Sequence, residues 1–161
     1  VDKSGDKSQE LWMTQRPNMF IGEYHHTIDE KGRVAIPVKF RTALKQGSVV
    51  TRGLDHCLAV YPKKEWDQLA ARLAAMPIAN ANSRAFARFM LAGAMELEFD
   101  SQGRALLPDY LRQYASIGKK AVVAGLSNRL EIWDDSAWEK YRSGTDKSSN
   151  DIAEALGDLG V

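Results

Sequence analysis

The sequence predicts an α+β fold: an internally duplicated β-barrel decorated by helices, with a pseudo-twofold relation inside one chain. Three observations carry this expectation. Residues 29–42 superpose on 100–113 at a shift of 71, matching Asp29, Gly32, Arg33, Pro37 and Arg41 to Asp100, Gly103, Arg104, Pro108 and Arg112. At a shift of 72, "GLDHCLAVYPKKEW" then falls on "GLSNRLEIWDDSAW", so that Gly53, Leu54, Leu58 and Trp66 meet Gly125, Leu126, Leu130 and Trp138, and Tyr61 meets Trp133. Finally, a copy of roughly 50 residues buries too little apolar surface to be secure alone, so the two copies are expected to pack on each other.

Each copy reads as strand, four-residue loop, strand, short helix, strand, tight turn, strand and helix. In the first, Phe20, Tyr24 and Ile28 share one strand face, and Val34 and Ile36 continue the alternation beyond the loop. Pro37 ends that strand and pre-sets the φ of a helix start. The helix runs over Val38–Gln46 and stops at Gly47. "SVVTRGLDHCLAVYP" supplies two strands and a glycine-containing turn. Lys63–Met76 is helical because Trp66, Leu69, Ala70 and Leu73 recur at helical spacing. The segment 77–92 is a linker helix with Asn and Ser residues suited to its N-cap. The organisation expected is therefore a flexible leader over 1–18, a first repeat over 19–76, the linker helix, a second repeat over 93–142 and a flexible tail over 143–161. Ser143 opens "SGTDKSSND", which reads as a disordered linker by composition.

The repeated loops carry the chemistry. Gly32 and Gly103 supply the positive φ that a tight loop needs. Asp29 and Asp100 can accept loop N–H groups or hold Arg33 and Arg104 as charge-assisted pairs. Two readings stay open on these local grounds: a self-braced turn, or a braced arginine presented to guanine edges and phosphates. Charge favours the first copy as the polyanion face, with Lys/Arg exceeding Asp/Glu by 3 over residues 19–76 and falling short by 1 over 93–142. Lys31 stands where the second loop has Gln102.

Other classes find little support. His25 and His26 lie on opposite strand faces and cannot chelate one metal, and a single cysteine, Cys57, read as a half-buried strand residue, builds neither a disulfide framework nor a thiolate cluster. No metal or other cofactor is expected. Phosphate-binding and nucleophile-elbow motifs are missing, so an enzyme is not expected. Trp66 and Trp138 read as core packing at matching helix positions. No apolar run reaches membrane-span length and the leader has no apolar signal core, which points to the cytoplasm. Net charge of only +1 keeps one alternative alive, an oligomeric protein-interaction scaffold without specific DNA binding.

The doubled Asp-x-x-Gly-Arg hairpin, "MFIGEY" at Met19 and the paired Trp-ending segments together resemble the bacterial MraZ family over residues 19–142. That resemblance implies an AbrB-like swapped-hairpin DNA-binding fold and a nucleoid-associated transcriptional repressor of the division and cell-wall gene cluster. It further implies binding to short G-rich direct repeats in double-stranded promoter DNA by a homo-oligomeric ring. Carried across by motif, Asp29, Arg33, Asp100 and Arg104 become the signature residues. The expected DNA contacts are Lys31, Arg33, Arg41 and Arg104, and the loop braces are Asp29, Gly32, Asp100 and Gly103. The first loop is expected to do most of the reading.

Overall fold

The computed structural model describes residues 19–160, and the expected leader over 1–18 lies outside them. The first repeat contributes β1 (Phe20–Thr27), β2 (Arg33–Ala35), α1 (Val38–Lys45), β3 (Ser48–Arg52), β4 (Leu58–Pro62) and α2 (Lys63–Ala74). A helix α3 (Ala81–Ala87), capped by the Asn80 side chain accepting from the Ser83 amide, runs into a π-helical turn over Arg88–Ala92. The second repeat then supplies β5 (Met95–Glu96), β6 (Glu98–Phe99), β7 (Arg104–Leu106), α4 (Asp109–Tyr114), β8 (Lys120–Ser127), β9 (Leu130–Asp134) and α5 (Asp135–Ala155).

The strands of the two repeats are exchanged. One sheet has six strands in the order β1-β8-β9-β4-β3-β5, the other three in the order β2-β7-β6. Thus β1 lies along β8, β5 along β3, β2 along β7 and β4 along β9, every one a pairing between repeats. The register reveals the symmetry. Val34 faces Ala105 with Arg33 opposite Leu106 and Ala35 opposite Arg104; Ala59 faces Glu131 with Leu58 opposite Ile132 and Val60 opposite Leu130. Each central pair joins a residue to its own repeat mate, so a pseudo-twofold passes through both. The duplicated α+β architecture is as expected, but the hydrogen-bonded strands form two separate antiparallel sheets, and no closed barrel is found among the described residues.

Burial explains why exchange is stable. Phe20, Ile36, Leu44 and Leu58 of the first repeat share one core with Leu107, Leu111, Leu130 and Ile132 of the second, all at 2% exposure or less. Neither repeat could close that core alone. Phe40 meets Phe20 edge-on at 5.2 Å and Tyr24 at 5.5 Å, which confirms the face assigned to β1. A smaller cluster joins Cys57, Val122 and Trp133 to Trp138. The tryptophans obey the repeat, since Trp66 packs on Tyr61 at 6.0 Å and Trp138 on Trp133 at 5.5 Å. Cys57 is fully buried rather than half-buried, and burial pushes its thiol pKa far up, so it stays an inert thiol.

Two local departures have physical causes. The expected disordered linker from Ser143 is helical, because α5 starts on an Asp134 cap to the Ala137 amide and is held at i,i+3 and i,i+4 by Arg142 with Glu139 and Asp146. The repeat mate of β1 is broken into β5 and β6, and the π-helical turn carries Met90, whose carbonyl accepts the Thr51 hydroxyl at 2.6 Å beside β3.

Gly125 shows how tightly the exchanged strand sits. A Cβ there would come 2.5 Å from the Ile21 nitrogen and 2.6 Å from the Phe20 carbonyl carbon. Its φ is ordinary, so space alone forbids a side chain. Gly125→Ala is expected to push β1 from β8 and to cost about 1–3 kcal/mol. A lowered urea midpoint with faster amide exchange in β1 checks this.

Candidate nucleic-acid interface

The two loops are built alike because the same residues make the same bonds. In the first, the Asp29 carbonyl accepts the Gly32 amide, Oδ1 accepts the amides of Lys31 at 3.0 Å and Arg33 at 2.9 Å, and Oδ2 accepts Arg33 Nε at 2.7 Å. In the second, Asp100 accepts the amides of Gln102 and Arg104, each at 2.9 Å, and Arg104 Nε at 2.7 Å. Gly32 and Gly103 turn the chain at φ values of 82° and 75°.

Pairing of β2 with β7 brings the loops together and crosses their ion pairs. Arg33 Nη1 lies 3.6 Å from Asp100 Oδ2, and Arg104 Nη1 lies 3.5 Å from Asp29 Oδ2. Four side chains, each 23–31% exposed, therefore form one square of alternating charge on the pseudo-twofold. In such a square each arginine lies against both carboxylates, so swinging away breaks two ion pairs at once. The guanidinium groups are pre-organised and lose little rotamer entropy on meeting a ligand.

The exchange also moves the helix arginines. Arg41 of α1 lies against Gly103 of the second loop, where an added Cβ would sit 2.6 Å from its guanidinium, and Arg112 of α4 lies likewise against Gly32. Each is tethered to its own strand end, Arg41 Nε to the Ile36 carbonyl at 2.8 Å and Arg112 Nε to the Leu107 carbonyl at 3.0 Å. Arg112 is further paired with Asp109. The repeat mate of Asp109 is Val38, so Arg41 has no helix carboxylate and keeps its charge unneutralised. Lys31 stands exposed at the tip of the first loop. Lys31, Arg33, Arg41 and Arg104 thus lie at one end of the molecule, joined by Arg112, which sequence reasoning passed over although the repeat names it as the mate of Arg41.

Bonds from the Arg33 amide, followed by its guanidinium, hold the Asp29 carboxyl below the usual carboxylate range against the opposing effect of desolvation; Arg104 does the same for Asp100. A folded pKa below the unfolded one contributes stability that is complete above the ordinary carboxylate pKa and is lost as pH falls through the lowered value. Thermal midpoints measured from neutral to acid pH are expected to fall on that acid limb. The Asp29→Asn/Asp100→Asn double variant is expected to show a shallower fall.

His25 and His26 diverge as expected. His25 bridges Glu23 at 2.9 Å and Asp135 at 2.8 Å, tying β1 to the start of α5. No cluster of His, Cys, Asp and Glu able to hold a metal occurs among the described residues.

The duplication is matched by a family model described as "MraZ protein, putative antitoxin-like", once over residues 19–89 and again over 90–159. The chain belongs to the MraZ family. Relatives in that family named transcriptional regulator MraZ include one from Halothermothrix orenii, 49% identical over 89% of this chain and all of its own length. One from a Thermoanaerobacter species is 50% identical with the same coverage, and one from Moorella thermoacetica is 48% identical. The MraZ matches start at Met19, where the described residues begin, and the second takes in the whole of α5.

Proposed function

We propose that the chain is a sequence-specific double-stranded DNA-binding transcriptional regulator. In this reading it represses the division and cell-wall gene cluster from the nucleoid, as a ring of identical chains gripping short G-rich direct repeats. The strand-exchanged pair of hairpins plays the part that two chains play in an AbrB-like dimer. The supporting observation is the crossed Asp29–Arg33–Asp100–Arg104 square, which fixes both loops as one rigid protrusion with unneutralised Lys31 and Arg41 beside it.

Arg33 donates its Nε–H to Asp29 and holds Nη1 3.6 Å from Asp100, and the outer edge of the guanidinium meets O6 and N7 of guanine in the major groove. Arg104 does so from the pseudo-symmetric position. Lys31 and Arg41 neutralise flanking phosphates and set register without reading sequence. A ring presents many such protrusions, so evenly spaced repeats are bound together and avidity raises a modest single-site affinity. The test is a footprint on the promoter of the protein's own gene cluster. Protection of regularly spaced G-rich repeats by the wild type is expected. No protection at concentrations where the protein is fully assembled would overturn the reading in favour of a protein-interaction scaffold.

A further inference from the structure

The pseudo-twofold is also broken at the last helix. Helix α5 is the repeat mate of α2, yet α2 ends at Ala74 and α3 folds back against it, whereas α5 runs on through Ala155. Every residue from Gly144 to Gly160 is exposed. At about 1.5 Å per residue, the part of α5 beyond Ser143 projects roughly 18 Å. Its tip is not a solvating surface. Ile152, Leu156 and Leu159 follow one another at spacings of four and three, on one side of the helix and its terminal turn, at 42%, 38% and 72% exposure. Around them, Asp151, Glu154 and Asp158 make no ion pair with any described residue.

The corner between α2 and α3 is its electrostatic complement. From Gln68 to Met95 the chain carries Arg72, Arg84 and Arg88 and no acidic residue at all. Ile78 in the connecting turn is 80% exposed and Phe86 on α3 is 36% exposed. One end of the molecule is thus acidic and apolar, another is basic and apolar, and the repeat relation says that α5 lacks the cover that α3 gives α2.

We infer that the distal part of α5 of one chain docks on the α2–α3 corner of a second copy of this chain. Ile152 and Leu156 lie against Ile78 and Phe86, and Asp151 and Glu154 face Arg84 and Arg88. The two surfaces are different, so the contact is head-to-tail, and repetition with the right rotation closes a ring. The inference rests on the ring of the proposed function and names the surfaces that close it.

The test is the mass of the full chain without DNA, by sedimentation velocity. Wild type is expected to be an oligomer. Ile152→Asp/Leu156→Asp and, separately, Ile78→Asp/Phe86→Asp are expected to reduce it to the 17.9 kDa monomer. Mixing the two variants should restore a heterodimer, because each retains one intact surface. Should either apolar variant lose its far-UV circular dichroism, the charge pair decides: Arg84→Glu/Arg88→Glu loses the oligomer, and adding Asp151→Lys/Glu154→Lys in the same chain recovers it. An oligomer of unchanged mass in all variants would overturn the inference and leave the ring standing. A monomeric wild type would overturn the ring itself as well.

Discussion

On the proposed function, Arg33→Ala is expected to lower affinity for the promoter repeats by about 1–3 kcal/mol per hairpin, a factor of roughly 5 to 150 at each site, and to relax the preference for guanine. Two losses combine in that figure. The guanine-reading fork disappears, and Asp29 and Asp100 lose one of the two cations of the square, leaving surplus negative charge beside phosphate. In the proposed ring several hairpins would act together, so the loss from the assembled protein is expected to exceed the loss at one site. The fold is expected to survive, since neighbouring Val34 holds the core at 0% exposure. Arg33→Lys separates the contributions: it keeps the charge but not the planar fork, so binding to scrambled DNA stays close to wild type while specificity falls. Fluorescence anisotropy with repeat and scrambled duplexes reads both. Full specificity in an assembled Arg33→Ala protein would contradict the assignment.

Leu130→Ala destabilises the whole chain by about 2–5 kcal/mol and lowers a single unfolding transition without splitting it. Leu130 is fully buried and stands opposite Val60 of the other repeat, next to the axis pair Ala59 and Glu131. A cavity there removes packing from both repeats equally. Urea titrations followed by far-UV circular dichroism and by tryptophan fluorescence should therefore coincide, although Trp66 belongs to one repeat and Trp133 and Trp138 to the other. Two separated transitions would mean that the repeats fold independently, against the strand exchange observed.

What was legible in the sequence was whatever short-range chemistry determines. The Asp brace, the positive-φ glycine and the arginine are neighbours in the chain, and the structure has them bonded as the spacing suggested. The matched tryptophans and the faces of β1 likewise followed from periodicity. Partner choice among strands was not readable from local pattern, because β1 has the same apolar alternation whether it pairs within its repeat or with β8. That non-local fact changes the site. Residues were divided between a basic first copy and an acidic second copy, but exchange puts Arg41 beside Gly103 and Arg112 beside Gly32. Each loop is thus flanked by a helix arginine of the other copy. The length of α5 escaped for another reason: a polar, glycine-containing stretch resembles a linker by composition, while its stability comes from capping and from Arg142 bridging Glu139 and Asp146.

The salt dependence of binding to a G-rich repeat duplex, measured beside a scrambled duplex of the same length, tests the central claim most directly. Each neutralised phosphate lowers the slope of log K against log salt by about 0.9. With Lys31 and Arg41 on phosphates at each protrusion of the proposed assembly, a steep negative slope is predicted for both duplexes, with the repeat duplex bound more tightly at every salt concentration. Equal affinity for the two duplexes, or binding indifferent to salt, would contradict the account.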